Sequence, residues 1–322
     1  MENFTTKVLS CADILFLPFI LLAALLLKAY RRLGSKHLRA STKMLKRLGV
    51  FPIIDQYYEP MFNDANLTKS LADKRVLPGL DFRENEQLKL LEELTFQNEF
   101  DEFLEGEKTK PAEMAFCLGN GAFESGDAEF LFNFIRHSKP RKVVEIGCGS
   151  STKLISHASQ LNEIDTGQMC NHICIEPYGQ SWLEGYPKIS LMRSKVEDVD
   201  CEVFESLEEG DFLFIDSSHI IRPQGDVLHE YLRIIPTLSK GVTVHVHDIF
   251  TPRDYLDVWV RENVKFWNEQ YLLEAMLSKN SSYEVVAALN LLKHEYFSDL
   301  KKVCQYLTSE REPGSFYFRV SR

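Results

Sequence analysis

The sequence predicts an α/β protein: a doubly wound, mostly parallel sheet preceded by a transmembrane helix and a helical N-terminal extension. Three observations predict it. The apolar run Val143–Ile146 breaks into Gly147-Cys148-Gly149-Ser150-Ser151-Thr152 and resumes with helical periodicity, the pattern of a strand entering a tight turn and leaving through a helix N-terminus. From Gly126 onward, short apolar segments alternate with helix-like ones, as in a parallel sheet covered on both faces. Near the start, Val8–Leu27 is apolar on every face.

Val8–Leu27 has about the 20 residues needed to cross a bilayer core. Asp13 lies near one end, within reach of headgroups, and Pro18 is tolerable as a kink. A basic cluster follows, running from Lys28, Arg31 and Arg32 to Lys46 and Arg47, whereas only Glu2 and Lys7 are charged before the run. The positive-inside bias places the N-terminus outside and everything after Lys28 in the cytosol: a single-pass membrane protein with a cytoplasmic catalytic domain. A cleaved signal peptide would carry its charge on the other side of the apolar run and a small-residue cleavage site, neither of which is present. Residues 28–48 read as an amphipathic basic helix suited to an anionic leaflet.

In 322 residues, 44% apolar and 26% charged, there is enough apolar material for a sizeable core. A net charge of −10 argues against a nucleic-acid partner. The seven cysteines are scattered and odd in number, which suits a reducing compartment. Cys170 and Cys174 flank His172, but no second ligand pair follows at zinc-site spacing, so these read as ordinary thiols.

Three segments are expected: residues 1–30 as the anchor, 31–119 as a basic juxtamembrane helix and helical cap, and 120–322 as the catalytic domain. In the cap, Phe51-Pro52 and Leu77-Pro78-Gly79 mark turns, and Glu84–Glu105 has helical periodicity. Beyond it, helices are expected at Ala128–Arg136, Thr152–Gln160, Val227–Ile235 and Val258–Leu277. Strands are expected at Lys142–Ile146, Ile173–Ile175, Asp211–Ile215 and Gly241–Val246, with Phe316–Val320 as a last, edge strand.

Ligands of such sheets sit beyond the C-terminal ends of the strands. The turn reads Glu-x-Gly-x-Gly-x-Ser and lacks the third glycine of dinucleotide-binding turns, which disfavours a nicotinamide-dependent oxidoreductase. The next strand ends in Glu176, placed to accept hydrogen bonds from both hydroxyls of a ribose. Glu145, inside the first strand, must be paired to be buried, by a cationic cofactor or by backbone N–H groups.

These residues resemble the class I S-adenosylmethionine-dependent methyltransferases over roughly 120–322. Tyr57-Tyr58-x-Pro60-x-Phe62, Asn120–Leu131, Asp216-Ser217-Ser218-His219 and Phe266–Tyr271 resemble a subgroup of small-molecule and sugar O-methyltransferases related to macrolide- and cephalosporin-tailoring enzymes. The resemblance implies a Rossmann-like, seven-stranded sheet and S-adenosylmethionine as cofactor. It implies Gly147, Gly149 and Ser151 at the cofactor's amino-acid end, Glu145 near its ammonium or sulfonium, and Glu176 on the ribose. Val196 and Glu197 would lie beside the adenine, and Ser125 and Gly126 over the methionine part.

A second cluster lies at two other strand ends: Asp216 and His219 after DFLFI, His247 and Asp248 after GVTVHV. Carboxylates and imidazoles converging there would make a divalent-metal site, with Asp216, His247 and Asp248 as ligands for Mg²⁺ or Mn²⁺ and His219 as general base. The related tailoring enzymes use acids at these places, and His247 stands where a second acid would be expected. The alternative places Asp216 on the cofactor or a helix cap and makes His247 a packed core residue. Trp259–Leu273 reads as core packing first and substrate pocket second. The expected activity is O-methylation of a small-molecule, sugar or lipid-linked glycan hydroxyl; the rival is a non-catalytic cofactor-binding scaffold with the same fold.

Overall fold

The chain folds into two compact units, one ending at Thr68 and the other spanning Lys69–Arg322. The structure, a computed structural model, describes residues 2–322, with side chains from Lys7 onward. The first unit holds α1 (Glu2–Leu33) and α2 (Arg39–Arg47). Lys7–Leu33 is long and apolar enough to cross a membrane, and none of its most apolar window is buried. The C-terminal end of α1 is fixed locally. Tyr30 is buried, its hydroxyl meets Thr42 Oγ1 at 2.5 Å, and Arg31 pairs with Glu59 while lying over the Phe51 ring. α2 buries no residue and ends in Lys46 and Arg47.

The second unit begins with α3 (Glu84–Glu93), α4 (Gln97–Glu107) and α5 (Asp127–Ser138). Then come β1 (Lys142–Ile146), α6 (Ser150–Thr166), β2 (Asn171–Ile175), β3 (Ile189–Met192), the short α7 (Glu202–Glu205) and β4 (Phe212–Ile215). The chain continues through α8 (Asp226–His229), β5 (Thr243–Val246), α9 (Glu269–Leu277), β6 (Tyr283–Ala288), α10 (Leu289–Glu295), α11 (Phe297–Val303) and β7 (Phe316–Val320). The strands form one sheet in the order β3-β2-β1-β4-β5-β7-β6. β1 to β5 are parallel, and β7 runs antiparallel between β5 and β6.

Period-two alternation sorts each strand between two cores. Phe212 and Phe214 face the layer built from α3–α6, α10 and α11, with Phe130, Phe132, Phe134 and Tyr317. Leu213 and Ile215 face the opposite layer with Val144, Val246, Tyr231, Leu273 and Phe318. Burial on both faces explains why these strands read as continuous apolar runs. The chain leaves β1 toward β2 and β3 on one side and returns to β4 on the other, so a crevice opens above the ends of β1 and β4.

The second compact unit begins at Lys69, and its Leu91, Leu94, Phe100, Phe103 and Phe116 are buried in the same core as α5 and α6. Three expectations are corrected. Glu84–Glu105 is two helices, separated where the Asn133 side chain accepts the Phe96 N–H at 2.8 Å. Val258–Leu277 is not one helix. A single wide turn at Val258–Glu262 ends at Val264 in the left-handed region (φ 51°), and Lys265 inserts its ammonium between the Trp259 and Trp267 rings, 4.0 and 3.7 Å from their centroids. Phe316–Val320 is an interior strand, because β6 adds outside it.

Candidate active site

The glycine turn is clamped between two strand ends. Gly147 N–H donates to Ile175 O (3.0 Å) at the end of β2, and the N–H of Asp216, just beyond β4, donates to Ile146 O (2.9 Å). Gly147 has φ +80°, and a methyl group on it would collide with the Asp216 carbonyl oxygen, so only glycine fits. Gly149 is extended, and a Cβ there would meet nothing, so the protein itself leaves the space above it open. Its N–H donates to Thr152 Oγ1 at 3.0 Å as α6 begins.

Glu176 faces this turn from the end of β2. Its carboxylate accepts the Tyr178 N–H (2.8 Å) and the Cys148 N–H (3.3 Å), which leaves further lone pairs for a ligand. It lines a cavity of about 280 Å³ together with Gly147, Val196, Glu197 and Asp216. Arg222 and Asp226 also line it, and Asp226 accepts the Ser218 N–H and hydroxyl.

The other expected cofactor residues do not line this cavity. Glu145 is fully buried. One oxygen accepts from Ser151 Oγ (2.6 Å) and Thr152 Oγ1 (3.0 Å), and the other meets His172 Nε2 at 2.8 Å. Its partners are protein side chains, so it braces the start of α6 against β2 rather than facing the cavity, and Ser151 is consumed in that brace. Gly126 starts α5, where its N–H donates to Glu129 Oε2 at 2.9 Å, and Ser125 precedes it half-buried.

The strand-end cluster does converge, with His219 closer to the acids than the sequence pattern implies. His219 Nε2 lies 3.3 Å from Asp216 Oδ1 and 3.4 Å from Asp248 Oδ2, and these three residues offer ligand atoms mutually within 4.8 Å. His247, expected as a ligand, places Nδ1 3.5 Å from Asp216 and 3.7 Å from Asp248, while its Nε2 lies 3.9 Å from Asp127. Both His219 and Asp248 sit in the left-handed backbone region (φ 60° and 57°), an arrangement of non-glycine residues that recurs at functional sites.

Electrostatics in the cluster are strong. Burial opposes a charge on His219, but its bonds to Asp216 and Glu269 prevail and push its pKa up to about 10. Burial would raise Asp216, yet the His247 charge and the bond from His219 hold it well below the usual carboxylate range. Burial raises Asp248 against the pull of both histidines. His247 is raised well above its ordinary value: Asp248 and Asp216 overcome its burial.

Two contributors escape sequence reading. Glu269, fully buried at the start of α9, meets His219 Nδ1 at 2.8 Å from 50 residues away. Asp127 accepts the N–H groups of Gly314 and Ser315 and faces His247. Both lie in stretches the resemblance had marked, Glu269 in Phe266–Tyr271 and Asp127 in Asn120–Leu131, but nothing in the sequence singles out either residue.

A family model described as a methyltransferase domain matches residues 144–249, from β1 through the strand-end cluster. A protein of Archaeoglobus fulgidus, described only as uncharacterized, is 31% identical over 167 residues, covering 48% of this chain and 72% of that one. Among solved structures, the O-methyltransferase TomG from Streptomyces achromogenes, involved in tomaymycin synthesis and in complex with SAM, is 16% identical. Its TM-score is 0.40, over 76% of this chain and 93% of that one. An O-methyltransferase from Bacillus cereus in complex with SAH is 12% identical with a TM-score of 0.37, over 69% and 90%. Structural scores this low carry no argument about chemistry, and the Archaeoglobus relative brings no activity with it; the domain match at residues 144–249 is what speaks to chemistry. Residues 144–249 of this chain form a methyltransferase domain.

Proposed function

We propose that this chain transfers a methyl group from S-adenosylmethionine to a hydroxyl of a small-molecule, sugar or lipid-linked glycan acceptor, at a membrane and on its cytosolic side. The observation that carries the reading is the cavity in which Glu176 and Gly147 share a wall with Asp216, because Asp216 also belongs to the carboxylate–imidazole cluster.

The cavity residues fit the cofactor. Glu176 has free acceptor sites for ribose hydroxyls, Val196 offers an apolar surface for adenine beside Glu197, and open space lies over Gly149. N–H groups of the first turn of α6 suit the carboxylate of the amino-acid end. A volume of about 280 Å³ lies near the lower end of small-molecule pockets. When bound, the cofactor supplies a methyl carbon made electrophilic by its sulfonium. Glu145 acts behind this surface, holding Ser151 and Thr152 so that the turn keeps its shape.

Asp216 and Asp248, with His247 beside them, form an oxygen-rich donor set that fits Mg²⁺ or Mn²⁺, which would favour ionisation of an acceptor hydroxyl. With the two aspartates so engaged, His219 keeps Glu269 as its anionic neighbour. Glu269 on Nδ1 fixes the ring so that Nε2 faces the site and can take the hydroxyl proton. The chain's main contribution is positioning.

The membrane assignment is supported by the exposed apolar length of α1 and the basic residues that follow it. Purified full-length chain in detergent, given S-adenosylmethionine and fractionated membrane and small-molecule extracts, should form S-adenosylhomocysteine. Chelation should suppress turnover, and Mg²⁺ or Mn²⁺ should restore it. Cofactor binding without turnover on any fraction would favour the scaffold reading; binding of NAD(P) in place of S-adenosylmethionine would overturn both.

A further inference from the structure

Four side chains outside the cavity meet behind the glycine turn. Glu145 on β1 and Cys174 on β2 are register partners, and His172 precedes Cys174 by two residues, so all three project from one face of the sheet. Cys148, in the turn itself, completes the group. The ligand atoms of Glu145, Cys148 and Cys174 lie within 4.8 Å of one another. Cys174 Sγ is 3.6 Å from Glu145 Oε2 and 3.5 Å from His172 Nε2, which is 2.8 Å from the same carboxylate oxygen. All four residues are buried, Cys148 the least so at 7% exposure.

We propose that this cluster is a structural zinc site, with the Cys148 and Cys174 thiolates, Glu145 and His172 as ligands. A tetrahedral zinc with Zn–S of about 2.3 Å and Zn–N or Zn–O of about 2.1 Å sets its donors roughly 3.4–3.8 Å apart. The separations of Cys174 Sγ from the His172 nitrogen and the Glu145 oxygen already have those values; the His172–Glu145 pair must open by about half an ångström, and Cys148 Sγ must turn toward His172, which lies outside the 4.8 Å group. Thiolates select zinc over the magnesium or manganese suited to the aspartate cluster. The second Glu145 oxygen is held by Ser151 and Thr152, the outer hydrogen bonding that orients a ligating carboxylate. Burial of all four ligands makes the site closed, hence structural rather than catalytic.

Read along the chain, Cys170-x-His172-x-Cys174 lacks a second ligand pair; the β1–β2 register supplies it as Glu145 and Cys148. The ion would tie β1, β2 and the turn together at the point where the Cys148 N–H meets Glu176. The inference is independent of turnover, so its failure leaves the proposed activity standing.

The test uses detergent-solubilised full-length chain from zinc-supplemented cells, purified without chelator, then exchanged with Co²⁺. The expected result is about one zinc per chain and, in the cobalt form, tetrahedral bands with a thiolate-to-cobalt charge-transfer band. Cys174→Ser should weaken that band and the Cys148→Ser, Cys174→Ser double variant abolish it, whereas Asp216→Asn with Asp248→Asn should keep it, since the aspartate cluster contains no sulfur. A folded wild-type chain with neither zinc nor a thiolate band overturns the proposal. So does an intact band in the folded Cys148→Ser, Cys174→Ser double variant, or a Cys148–Cys174 disulfide found by peptide mapping. If the serine variants do not fold, the wild-type zinc content and cobalt spectrum decide.

Discussion

Glu269 Oε2 sits 2.8 Å from His219 Nδ1, and that bond decides which nitrogen of the ring faces Asp216 and Asp248. The carboxylate is fully buried at the start of α9, so it serves no solvent contact. Glu269→Gln keeps the shape and removes the charge. Loss of such an orienting partner costs roughly 10- to 100-fold in activity. The expected outcome is a fall in kcat of that size with S-adenosylmethionine affinity unchanged, measured by S-adenosylhomocysteine formation and calorimetry. Equal loss of cofactor binding would mean that Glu269 only supports the fold.

Glu176→Ala tests the cavity itself. The carboxylate accepts two backbone N–H groups and, in the proposed complex, ribose hydroxyls. Hydrogen bonds to a charged group contribute about 1.5–3 kcal/mol, so affinity for S-adenosylmethionine should weaken roughly 10- to 100-fold. Calorimetry on the folded variant checks it; unchanged affinity would sink the placement of the cofactor.

Gly147→Ala should be far more damaging than Gly149→Ala. At Gly147 the positive φ and the Asp216 carbonyl both exclude a methyl group, whereas at Gly149 the backbone is extended and the space is free. Backbone strain of this kind costs about 1–3 kcal/mol, before the collision is counted. Denaturant midpoints should drop for the first variant and stay close to wild type for the second. The second should instead lose cofactor affinity, because its new methyl fills the open space.

Glu129 gives a pH signature. Burial raises its pKa from 4.5 to about 7, against hydrogen bonds from the Tyr306 and Gly126 N–H groups. The folded protein therefore holds this proton more tightly than the unfolded chain. The associated stability is fully present below the unfolded pKa and is lost as pH rises through 7, by on the order of 3 kcal/mol. Glu129→Gln should flatten the decline in melting temperature between about pH 5 and 8 relative to wild type. An identical slope in the two proteins would refute the assignment.

Legibility in the sequence followed local physics. Lys142–Ile146 is read with the right bounds because Pro140 and Gly147 flank a short apolar run broken only by Glu145. β3 and β6 are not read, because half-exposed positions dilute their apolar pattern. Missing β6 is what made Phe316–Val320 look like an edge. Trp259 to Tyr271 has helical spacing, yet the helix is interrupted there, where Val264 is left-handed and Lys265 lies over both indole faces.

By itself the sequence determined the alternation of strand and helix, the glycine turn, the acid after β2, the two strand-end acid–histidine pairs and the apolar N-terminal helix. Each is written in a few consecutive residues. Only the tertiary structure decided that Glu145 turns inward to His172 while Glu176 lines the cavity, that Glu269 orients His219, and that Cys148 joins Cys174. Those choices depend on strand register and on contacts between residues tens of positions apart, and no local pattern of residue types encodes either.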